Sequence, residues 1–373
     1  MKILTIIGAR PQFIKAAATS KAISNHNSSS LHKIDEVIVH TGQHYDKNMS
    51  SIFFDQLEIK HPEYTLESGG KNHNEMTASI LLGLDKILIK EMPDAILVYG
   101  DTTSTIAGVL SGTKNHIPCI HIEAGLRSNN LKMPEEINRI VADRLSSLLL
   151  CPTEIAIKNL NSEGFPFPAL GMDSQVIELV GDVMFDIYKM MEPNFNTPIK
   201  NFNLLAKDYC LVTAHRQEIT NSKKSLSHFV SELEEVSKSG LKIFWPIHPG
   251  TKKSLANFNI TLSSEYFIAA PPLSYFDVQS ILKSARCVIT DSGGLQKEAF
   301  FAKIPCITPR SETEWIETLK YNFNQLHEIG GETSLISKVE QANQVSFFDA
   351  DDFLPFGDGT AAIKIVQAII DKL

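Results

Sequence analysis

Residues Ile117-Pro-Cys-Ile-His-Ile-Glu-Ala-Gly-Leu-Arg127 pass from an apolar run straight into a turn that carries an acid and an arginine. The apolar run predicts a strand buried on both faces, which is typical of parallel sheets. In open α/β sheets, ligands bind beyond the carboxyl ends of the strands. We therefore expect Glu123, directly after this strand, to lie where a ligand binds.

Short apolar runs alternate with amphipathic segments along the whole chain, which predicts βαβ units and parallel sheets. A Gly/Pro-rich stretch at residues 164–173 predicts a linker or exposed loop between two series of strands. The predicted strands are Ile3–Ile7, Val37–His40, Ala95–Tyr99, Ile117–Ile122 and Leu148–Cys151, then Val176–Val180, Tyr209–Val212, Ile243–Pro246, Tyr266–Ala269, Cys287–Thr290 and Cys306–Thr308.

The 373 residues of the chain exceed the size of one compact core. We therefore predict an α/β fold of two doubly wound Rossmann-like domains that face a cleft. The N-terminal domain would span residues 1–170 and the C-terminal domain residues 171–359. A terminal helix at residues 360–373 would cross back to the N-terminal domain.

The composition is that of an ordinary globular protein, with a net charge of −8 and 43% hydrophobic residues. The negative charge argues against a nucleic-acid partner, which would favour a basic surface. Five scattered cysteines without a C-x-x-C pair indicate small buried side chains in a reducing compartment. No apolar run approaches the ~18 residues of a membrane span. We expect a soluble, cytoplasmic protein.

Three acids follow strands or open a helix in the first half of the chain: Asp101, Glu123 and Glu135. Each also has a structural explanation. Asp101 could cap the next helix, and Glu123 and Glu135 could pair with Arg127 and Arg139, each four residues on. Acids crowded at one sheet edge raise each other's pKa, which suits general acid or base catalysis.

The second half of the chain carries a candidate phosphate site, Asp291-Ser-Gly-Gly294. Two glycines let the backbone approach an anion, and the helix that follows offers free N–H groups. Glu298 lies one helical turn further on and could bind two ribose hydroxyls. A simple tight turn is the alternative. Further polar candidates at strand ends are Arg10, Lys15, His215 and His248.

Several cofactor motifs are absent from the sequence. No strand is followed by G-x-G-x-x-G, and there is no P-loop and no metal-spaced His/Cys cluster. We therefore expect acid–base chemistry with neither a redox cofactor nor a metal.

These motifs together resemble the non-hydrolysing UDP-N-acetylglucosamine 2-epimerases over nearly the whole chain. The matching segments are Gly8-Ala-Arg-Pro, Gly100-Asp-Thr, His121-Ile-Glu-Ala-Gly-Leu-Arg, Pro134-Glu-Glu-Ile-Asn-Arg, His215-Arg and Asp291-Ser-Gly-Gly-Leu-Gln. The resemblance implies the glycosyltransferase-B architecture, a UDP-sugar substrate held between the domains, and a homodimer. It also implies C2 epimerisation through UDP elimination to a 2-acetamidoglucal and re-addition.

The resemblance further implies roles for individual residues. The catalytic candidates are Asp101, Glu123, Glu135 and His215. The substrate-binding candidates are Arg10, Lys15, Arg127, Arg139, His248, Ser292, Gly293, Gly294, Glu298 and Arg310, with the glycine turn on the diphosphate and Glu298 on the ribose.

The sequence departs from the family pattern at several points. The usual His-Arg-x-Glu-Asn reads His215-Arg-Gln-Glu-Ile219, and Thr-Glu-Arg-Pro-Glu reads Thr313-Glu-Trp-Ile-Glu317. Differences at residues 43–49 and 69–73 concern the site of an activating second UDP-sugar. These variants resemble the subgroup acting on UDP-2,3-diacetamido-2,3-dideoxy-glucuronate, for which Trp315 and Lys71 are candidate contacts.

Other functions remain compatible with the sequence. A hydrolysing UDP-sugar 2-epimerase would release free sugar and UDP. A retaining glycosyltransferase of the same architecture would share the phosphate turn and the ribose acid, but would not need three clustered acids. A nucleotide-sugar sensor would bind without turnover.

Overall fold

The computed structural model describes residues 1–43, 60–197, 199–345 and 353–373. Residues 44–49, part of the predicted activator segment, lie outside this description. The chain divides into two compact units. The first unit comprises Met1–Lys189 and Leu354–Leu373, and the second comprises Met190–Phe353.

The first unit is built on a seven-stranded sheet with the order β3-β2-β1-β4-β5-β6-β7. The strands within the described residues all pair in parallel, and most are buried on both faces because helices cover the sheet. The bounds are β1 Lys2–Ile7, β2 Asp35–His40, β3 Tyr64–Thr65, β4 Ala95–Tyr99, β5 Cys119–Ile122, β6 Leu148–Cys151 and β7 Val176–Leu179.

Strand β7 corrects the sequence prediction, which assigned it to the second series. Its residues pair with β6 in the first sheet, with Leu148 opposite Val176. The Gly/Pro-rich stretch at residues 164–173 is therefore a loop within the first unit. Composition alone could not distinguish such a loop from a linker, because both are rich in the same residues.

Helices pack on both faces of the first sheet. Their bounds are α1 Arg10–Ser29, α2 His73–Glu91, α3 Thr103–Lys114, α4 Pro134–Leu145, α5 Glu154–Ser162, α6 Val183–Met191 and, from the C-terminal segment, α13 Ala361–Lys372. The start of α13 is fixed by the Asp186 carboxylate on α6, which accepts the backbone N–H groups of Ala361 and Ala362 at 3.1 and 2.7 Å. The last helix thus lies in the first unit.

The second unit repeats this plan with a six-stranded parallel sheet, in the order β10-β9-β8-β11-β12-β13. Its core contains Phe229 and Trp245, whose rings meet edge to face at 5.9 Å. The strands are β8 Tyr209–Thr213, β9 Lys242–Pro246, β10 Phe267–Ala270, β11 Cys287–Thr290, β12 Cys306–Thr308 and β13 Asn324–Leu326. The sequence prediction missed β3 and β13, which are two and three residues long and carry polar residues.

The helices of the second unit are α7 Gln217–Thr220, α8 Lys223–Lys238, α9 Pro249–Asn257, α10 Tyr275–Ser284, α11 Gly293–Phe301 and α12 Leu335–Ala342. Short 3₁₀ segments occupy Glu192–Asn194, Ile199–Phe202 and Ile316–Asn322. Across the described parts of both units, no helix has the length and apolar character needed to cross a membrane.

Both sheets have the strand order of doubly wound folds. The order reverses between β1 and β4 in the first sheet and between β8 and β11 in the second. Ligands of such folds bind at these switch points, beyond the carboxyl ends of the strands. The candidate residues of each unit follow its switch-point strands or their neighbours.

Candidate active site

The buried side chain of Gln12 joins the two turns at the first switch point. Its Oε1 atom accepts the backbone N–H groups of Gly8 and Ala9 at 2.8 and 3.1 Å. Its Nε2 atom donates to the carbonyl of Tyr99 and to Thr105 Oγ1 at 2.8 and 3.1 Å. The oxygen and the nitrogen of this amide are both engaged in hydrogen bonds, so Gln12 fixes the turn that leads into α1, whose first residue is Arg10.

Lys15 and Glu123 form a buried ion pair over the turn after β4. A Cβ atom added at Gly100 would lie 2.9 Å from Glu123 Oε2 and 3.0 Å from Lys15 Nζ. Gly100 has φ +60°, so a side chain there would meet both backbone strain and the ion pair. Glu123 itself has φ +71°, an uncommon conformation for this residue type that persists only where its surroundings hold it.

Asp101 pairs with the buried guanidinium of Arg139, which also donates to Glu136 at 2.7 Å. Thr102, not Asp101, caps α3 by accepting the Thr105 N–H. The Glu136 carboxylate also accepts the backbone N–H groups of Ser128 and Asn129 at 2.9 and 2.8 Å. Burial opposes its ionisation, but these hydrogen bonds and Arg139 leave the pKa of Glu136 lowered.

Glu135 differs from its neighbours on α4. Its side chain is half-buried, whereas Glu136 is fully buried. Among the residues that the structure describes, the Glu135 carboxylate has neither a hydrogen-bond nor an ion-pair partner. Pro134 begins the helix, as predicted. The predicted pair of Glu135 with Arg139 is replaced by the pair of Glu136 with Arg139.

Arg127 is also held differently from the predicted pair with Glu123. Its Nη1 atom donates to Asp143 Oδ2 at 2.6 Å, and its Nε and Nη2 atoms bind the Glu163 carboxylate at 2.6 and 2.8 Å. Asp143 is fully buried and also contacts His121 Nδ1 at 2.7 Å. Arg127 therefore belongs to a buried polar network at the base of the turn.

In the second unit, the Asp291 carboxylate binds the backbone of the turn that follows β8. Its Oδ2 atom accepts the backbone N–H groups of His215 and Arg216 at 2.7 and 2.8 Å. Its Oδ1 atom lies 3.0 Å from His215 Nδ1. Burial raises the pKa of Asp291, but His215 and the two N–H groups outweigh this effect, so the pKa is lowered. Asp291 thereby orients the half-exposed His215 ring through its Nδ1 atom, and the Nε2 atom points away from Asp291.

His248 lies beside His215, with the ring centroids 6.0 Å apart. Its Nδ1 atom accepts the Gly250 N–H at 3.1 Å and caps α9, so this nitrogen carries no proton. Burial and the nearby His215 lower the pKa of His248. A neutral ring with its proton on Nε2 is a hydrogen-bond donor suited to a phosphate oxygen.

The glycine turn opens α11, and Ser292 caps this helix by accepting the Leu295 N–H. A Cβ atom at Gly293 would lie 2.4 Å from Glu314 Oε1. The Glu314 carboxylate is paired with Arg310 at 3.0 Å and with Arg216 at 3.4 Å. Two arginines and the amino end of a helix thus gather around one side-chain carboxylate. Gly294 follows in the first turn.

Lys297 and Glu298 lie on the same helix, and both are largely buried. The Lys297 ammonium lies 3.8 Å from the centroid of the Trp315 ring. Trp315 is only 4% exposed, so it packs against Lys297 within the second unit. Ile219, where the family pattern has Asn, is buried in the core of this unit.

Lys71 lies on the surface of the first unit, where it donates to Ser79 at 2.8 Å. Within the described part of the chain, no group of three or more His, Cys, Asp or Glu side chains is arranged to hold a metal ion.

Comparison with known proteins gives the family. The family model described as UDP-N-acetylglucosamine 2-epimerase matches residues 26–370. The chain belongs to the UDP-N-acetylglucosamine 2-epimerase family. It is 42% identical to the UDP-2,3-diacetamido-2,3-dideoxy-D-glucuronate 2-epimerase of Pseudomonas aeruginosa, over 98% of this chain and 99% of the relative. It is 41% identical to a UDP-N-acetylglucosamine 2-epimerase homolog of Methanococcus maripaludis, over 99% of each.

The fold of this epimerase-family chain is similar to a solved structure along its whole length. The crystal structure of Methanocaldococcus jannaschii UDP-GlcNAc 2-epimerase, in complex with UDP-GlcNAc and UDP, matches with a TM-score of 0.89 and 36% identity and covers 100% of both chains. The predicted family, the α/β fold with two Rossmann-like parts and the enzyme class of UDP-sugar 2-epimerase are confirmed.

The sequence analysis gave no site role to four charged side chains of these networks: Glu136, Asp143, Glu163 and Glu314. One signal was available on α4, where Glu136, Arg139 and Asp143 recur at helical spacing on the buried face. Charges on the face of a helix that packs on a sheet must be paired, which indicates a polar network. The Glu163 and Glu314 partners are distant in sequence and leave no comparable local signal.

Proposed function

We propose that this epimerase-family chain inverts C2 of a UDP-2-acetamido sugar without consuming the UDP. In this reaction a base removes the C2 proton as the C1–oxygen bond to UDP breaks. The resulting 2-acetamidoglucal is protonated at C2 on the opposite face, and UDP adds back to C1. The grouping of Asp101, Glu123 and Glu135 at one sheet edge carries the proposal, because both proton transfers need such groups.

The three carboxylates differ in their partners, which supports different roles for them. Glu123 pairs with Lys15 and Asp101 with Arg139, so each of these carboxylates faces a cation. Glu135 has no such cation among the described residues. We assign Glu135 and Asp101 to the proton transfers at C2. Glu123 stabilises the positive charge that develops at C1 as UDP departs, and Lys15 holds the Glu123 carboxylate in place.

The second unit supplies the groups suited to UDP. Ser292, Gly293 and Gly294 offer the first turn of α11 to the diphosphate, and neutral His248 offers an N–H donor. Arg310 gives up part of its ion pair with Glu314 and binds the diphosphate instead. His215, oriented by Asp291, protonates or solvates the departing UDP oxygen. Glu298 binds the ribose.

Two arginines have roles other than direct substrate binding. Arg127 uses its Nε, Nη1 and Nη2 atoms in bonds to Asp143, Glu163 and the Leu126 carbonyl. Arg139 is buried and orients Asp101. We propose that both position the catalytic turns, and that mutation of either lowers kcat rather than raising KM.

We propose UDP-2,3-diacetamido-2,3-dideoxy-glucuronate as the preferred substrate and surface polysaccharide synthesis as its use. The 42% identity to the Pseudomonas aeruginosa enzyme of that name supports this branch. Trp315 would act through Lys297, on which it packs, because its own ring is buried. Lys71 is exposed and available to a carboxylate.

Two further properties complete the proposal. We propose that the enzyme works in the cytoplasm, where UDP-sugars are made. We also propose a homodimer, supported by exposed apolar residues on and just after α2, namely Leu82, Ile89 and the C-cap residue Met92, each more than 70% exposed. Apolar side chains that cluster on a surface favour association.

The substrate proposal is tested by parallel assays with UDP-2,3-diacetamido-glucuronate and UDP-N-acetylglucosamine, using NMR to detect the manno epimer. We expect a larger kcat/KM for the diacetamido uronate. Equal or faster turnover of UDP-N-acetylglucosamine would contradict the choice of substrate while leaving the reaction itself intact.

A further inference from the structure

We propose that His121 is a positioning residue, held as an imidazolium cation by its hydrogen-bond partners, that sets the spacing of the two turns carrying Asp101 and Glu123. Its effect on catalysis rests on the proposed function, because that function makes these carboxylates reactive. The charge of His121 does not depend on the proposed function, because it follows from the hydrogen-bond acceptors around the ring.

Both ring nitrogens of His121 face acceptors in a fully buried site. Nε2 lies 2.7 Å from the Gly100 carbonyl oxygen, and Nδ1 lies 2.7 Å from Asp143 Oδ1. A carbonyl oxygen can only accept a hydrogen bond, so Nε2 must carry a proton. A second proton must lie between Nδ1 and Oδ1, because two lone pairs would otherwise face each other at 2.7 Å.

The groups around Asp143 place this second proton on the ring. Asp143 Oδ2 accepts the Gly125 N–H at 3.1 Å and Arg127 Nη1 at 2.6 Å. Both donors stabilise the carboxylate anion, and burial alone would oppose it. Despite burial, the pKa of Asp143 is lowered by His121 and Arg127. His121 is therefore the protonated partner of an ionised Asp143.

The charges that face this pair leave the network neutral. Arg127 is balanced by Glu163, whose carboxylate it binds through two nitrogens. The Cys151 thiol lies near Asp143, and burial holds its pKa far above the usual range, so it stays uncharged. Four charged groups of alternating sign thus form one cluster, buried except at Glu163, which avoids the penalty of an unpaired charge.

The cluster ties together the two turns of the proposed catalytic carboxylates. His121 holds the carbonyl of Gly100, the residue before Asp101. Asp143 holds the N–H of Gly125, two residues after Glu123. Gly100 and Glu123 both have positive φ, so neither turn is in a conformation that its own residues favour by default. The imidazolium and Asp143 together connect the two turns, beside the backbone hydrogen bond from the Gly100 N–H to the Ile122 carbonyl at 2.9 Å.

The charge is measured by ¹⁵N NMR of histidine-labelled protein, which distinguishes protonated from unprotonated ring nitrogens. The His121→Gln variant identifies the His121 signal among the twelve histidines. We expect both ring nitrogens of His121 to carry a proton in the folded protein, because each faces a hydrogen-bond acceptor. A ring with one unprotonated nitrogen would overturn the proposal, whatever the activity.

The positioning role is measured with a matched pair of variants. The amide of His121→Gln can reach the Gly100 carbonyl in place of Nε2, whereas that of His121→Asn reaches only as far as Nδ1 and Asp143. We expect kcat to fall about 100-fold in His121→Asn with little change in KM, and His121→Gln to recover part of the loss. Equal kcat in both variants and the wild type would overturn the role.

Two controls separate misfolding and failure of the proposed function from failure of this inference. UDP binding, which depends mainly on the second unit, should be unchanged in folded variants. An Asp143→Asn variant should release a ring proton in the NMR experiment, even if all activity is absent. If the wild type shows no C2 exchange at all, the proposed function fails while the NMR result still decides the charge.

Discussion

His215 Nδ1 lies 3.0 Å from Asp291 Oδ1, and the second oxygen of that buried carboxylate accepts the backbone N–H groups of His215 and Arg216. One carboxylate therefore fixes both the ring and the backbone of the histidine. Because Asp291 precedes the glycine turn of α11, the same residue links the orientation of His215 to the proposed diphosphate site.

This relationship predicts a pH-dependent contribution to stability. Because the folded-state pKa of Asp291 is lowered, its stabilisation is present above the unfolded pKa of ~3.9 and is lost as pH falls through the folded value. We expect Asp291→Asn to cost about 1–3 kcal/mol at pH 7 and the difference from wild type to shrink below about pH 4. Urea unfolding at several pH values measures it.

The control for Asp291 is Glu235→Gln, which neutralises an exposed carboxylate of the same unit. This change should leave stability nearly unaltered at every pH. A constant cost for Asp291→Asn across the acid range would show that the effect is one of shape rather than charge.

The Lys15–Glu123 pair predicts strong coupling between two residues that are far apart in sequence. Both side chains are at most 9% exposed, so removing one leaves the other charge buried without its partner. We expect Lys15→Met to lower the free energy of unfolding by about 3–5 kcal/mol. The double variant Lys15→Met/Glu123→Gln should recover most of this loss. Additive losses in a double-mutant cycle would show that the pair is uncoupled.

The close approach of Glu314 to Gly293 predicts that a larger residue at position 293 would disturb the proposed diphosphate site. A methyl group there would meet Glu314 and displace the carboxylate that pairs with Arg310 and Arg216. We expect Gly293→Ala to weaken UDP binding about tenfold in calorimetry, which is ~1.4 kcal/mol. Adding Glu314→Ala should relieve the clash and restore much of the affinity. Unchanged UDP binding in Gly293→Ala would remove the turn from the proposed site.

The exposed apolar residues on and just after α2 predict the dimer surface. We expect Leu82→Asp/Ile89→Asp to shift the protein from dimer to monomer in light scattering, because two charges would be buried at the interface. Leu205→Asp is the matched control, since Leu205 is equally apolar and 66% exposed on the second unit. A dimer that survives the α2 changes, or a wild-type monomer, would place the contact elsewhere or exclude it.

Much of the fold could be predicted because its signal is local. Buried parallel strands such as Ala95–Tyr99 and Cys287–Thr290 are continuous apolar runs, and their predicted bounds match the structure. Strand β7 was misassigned, because strand pairing depends on contacts that a single segment does not encode. The positions of Asp101 and Glu123 at strand ends could likewise be predicted from the pattern of the sheet.

The partners of these site residues could not be predicted. Local spacing suggested Glu123 with Arg127 and Glu135 with Arg139. The structure instead pairs Glu123 with Lys15, 108 residues away, and Asp101 with Arg139, 38 residues away. Sequence spacing describes neighbours on one helix, whereas the carboxyl edge of a sheet gathers residues from several strands. Buried charges form ion pairs across that edge because desolvation makes an unpaired charge costly.

The central claim, inversion of C2 by proton exchange, is tested most directly by NMR of the reaction in deuterated water. UDP-2,3-diacetamido-glucuronate is incubated with the wild type and with Glu135→Gln. We predict that the wild type forms the UDP-linked manno epimer with deuterium at C2, and that Glu135→Gln loses most of this exchange. Free sugar with released UDP, or a product that keeps its C2 proton, would contradict the account.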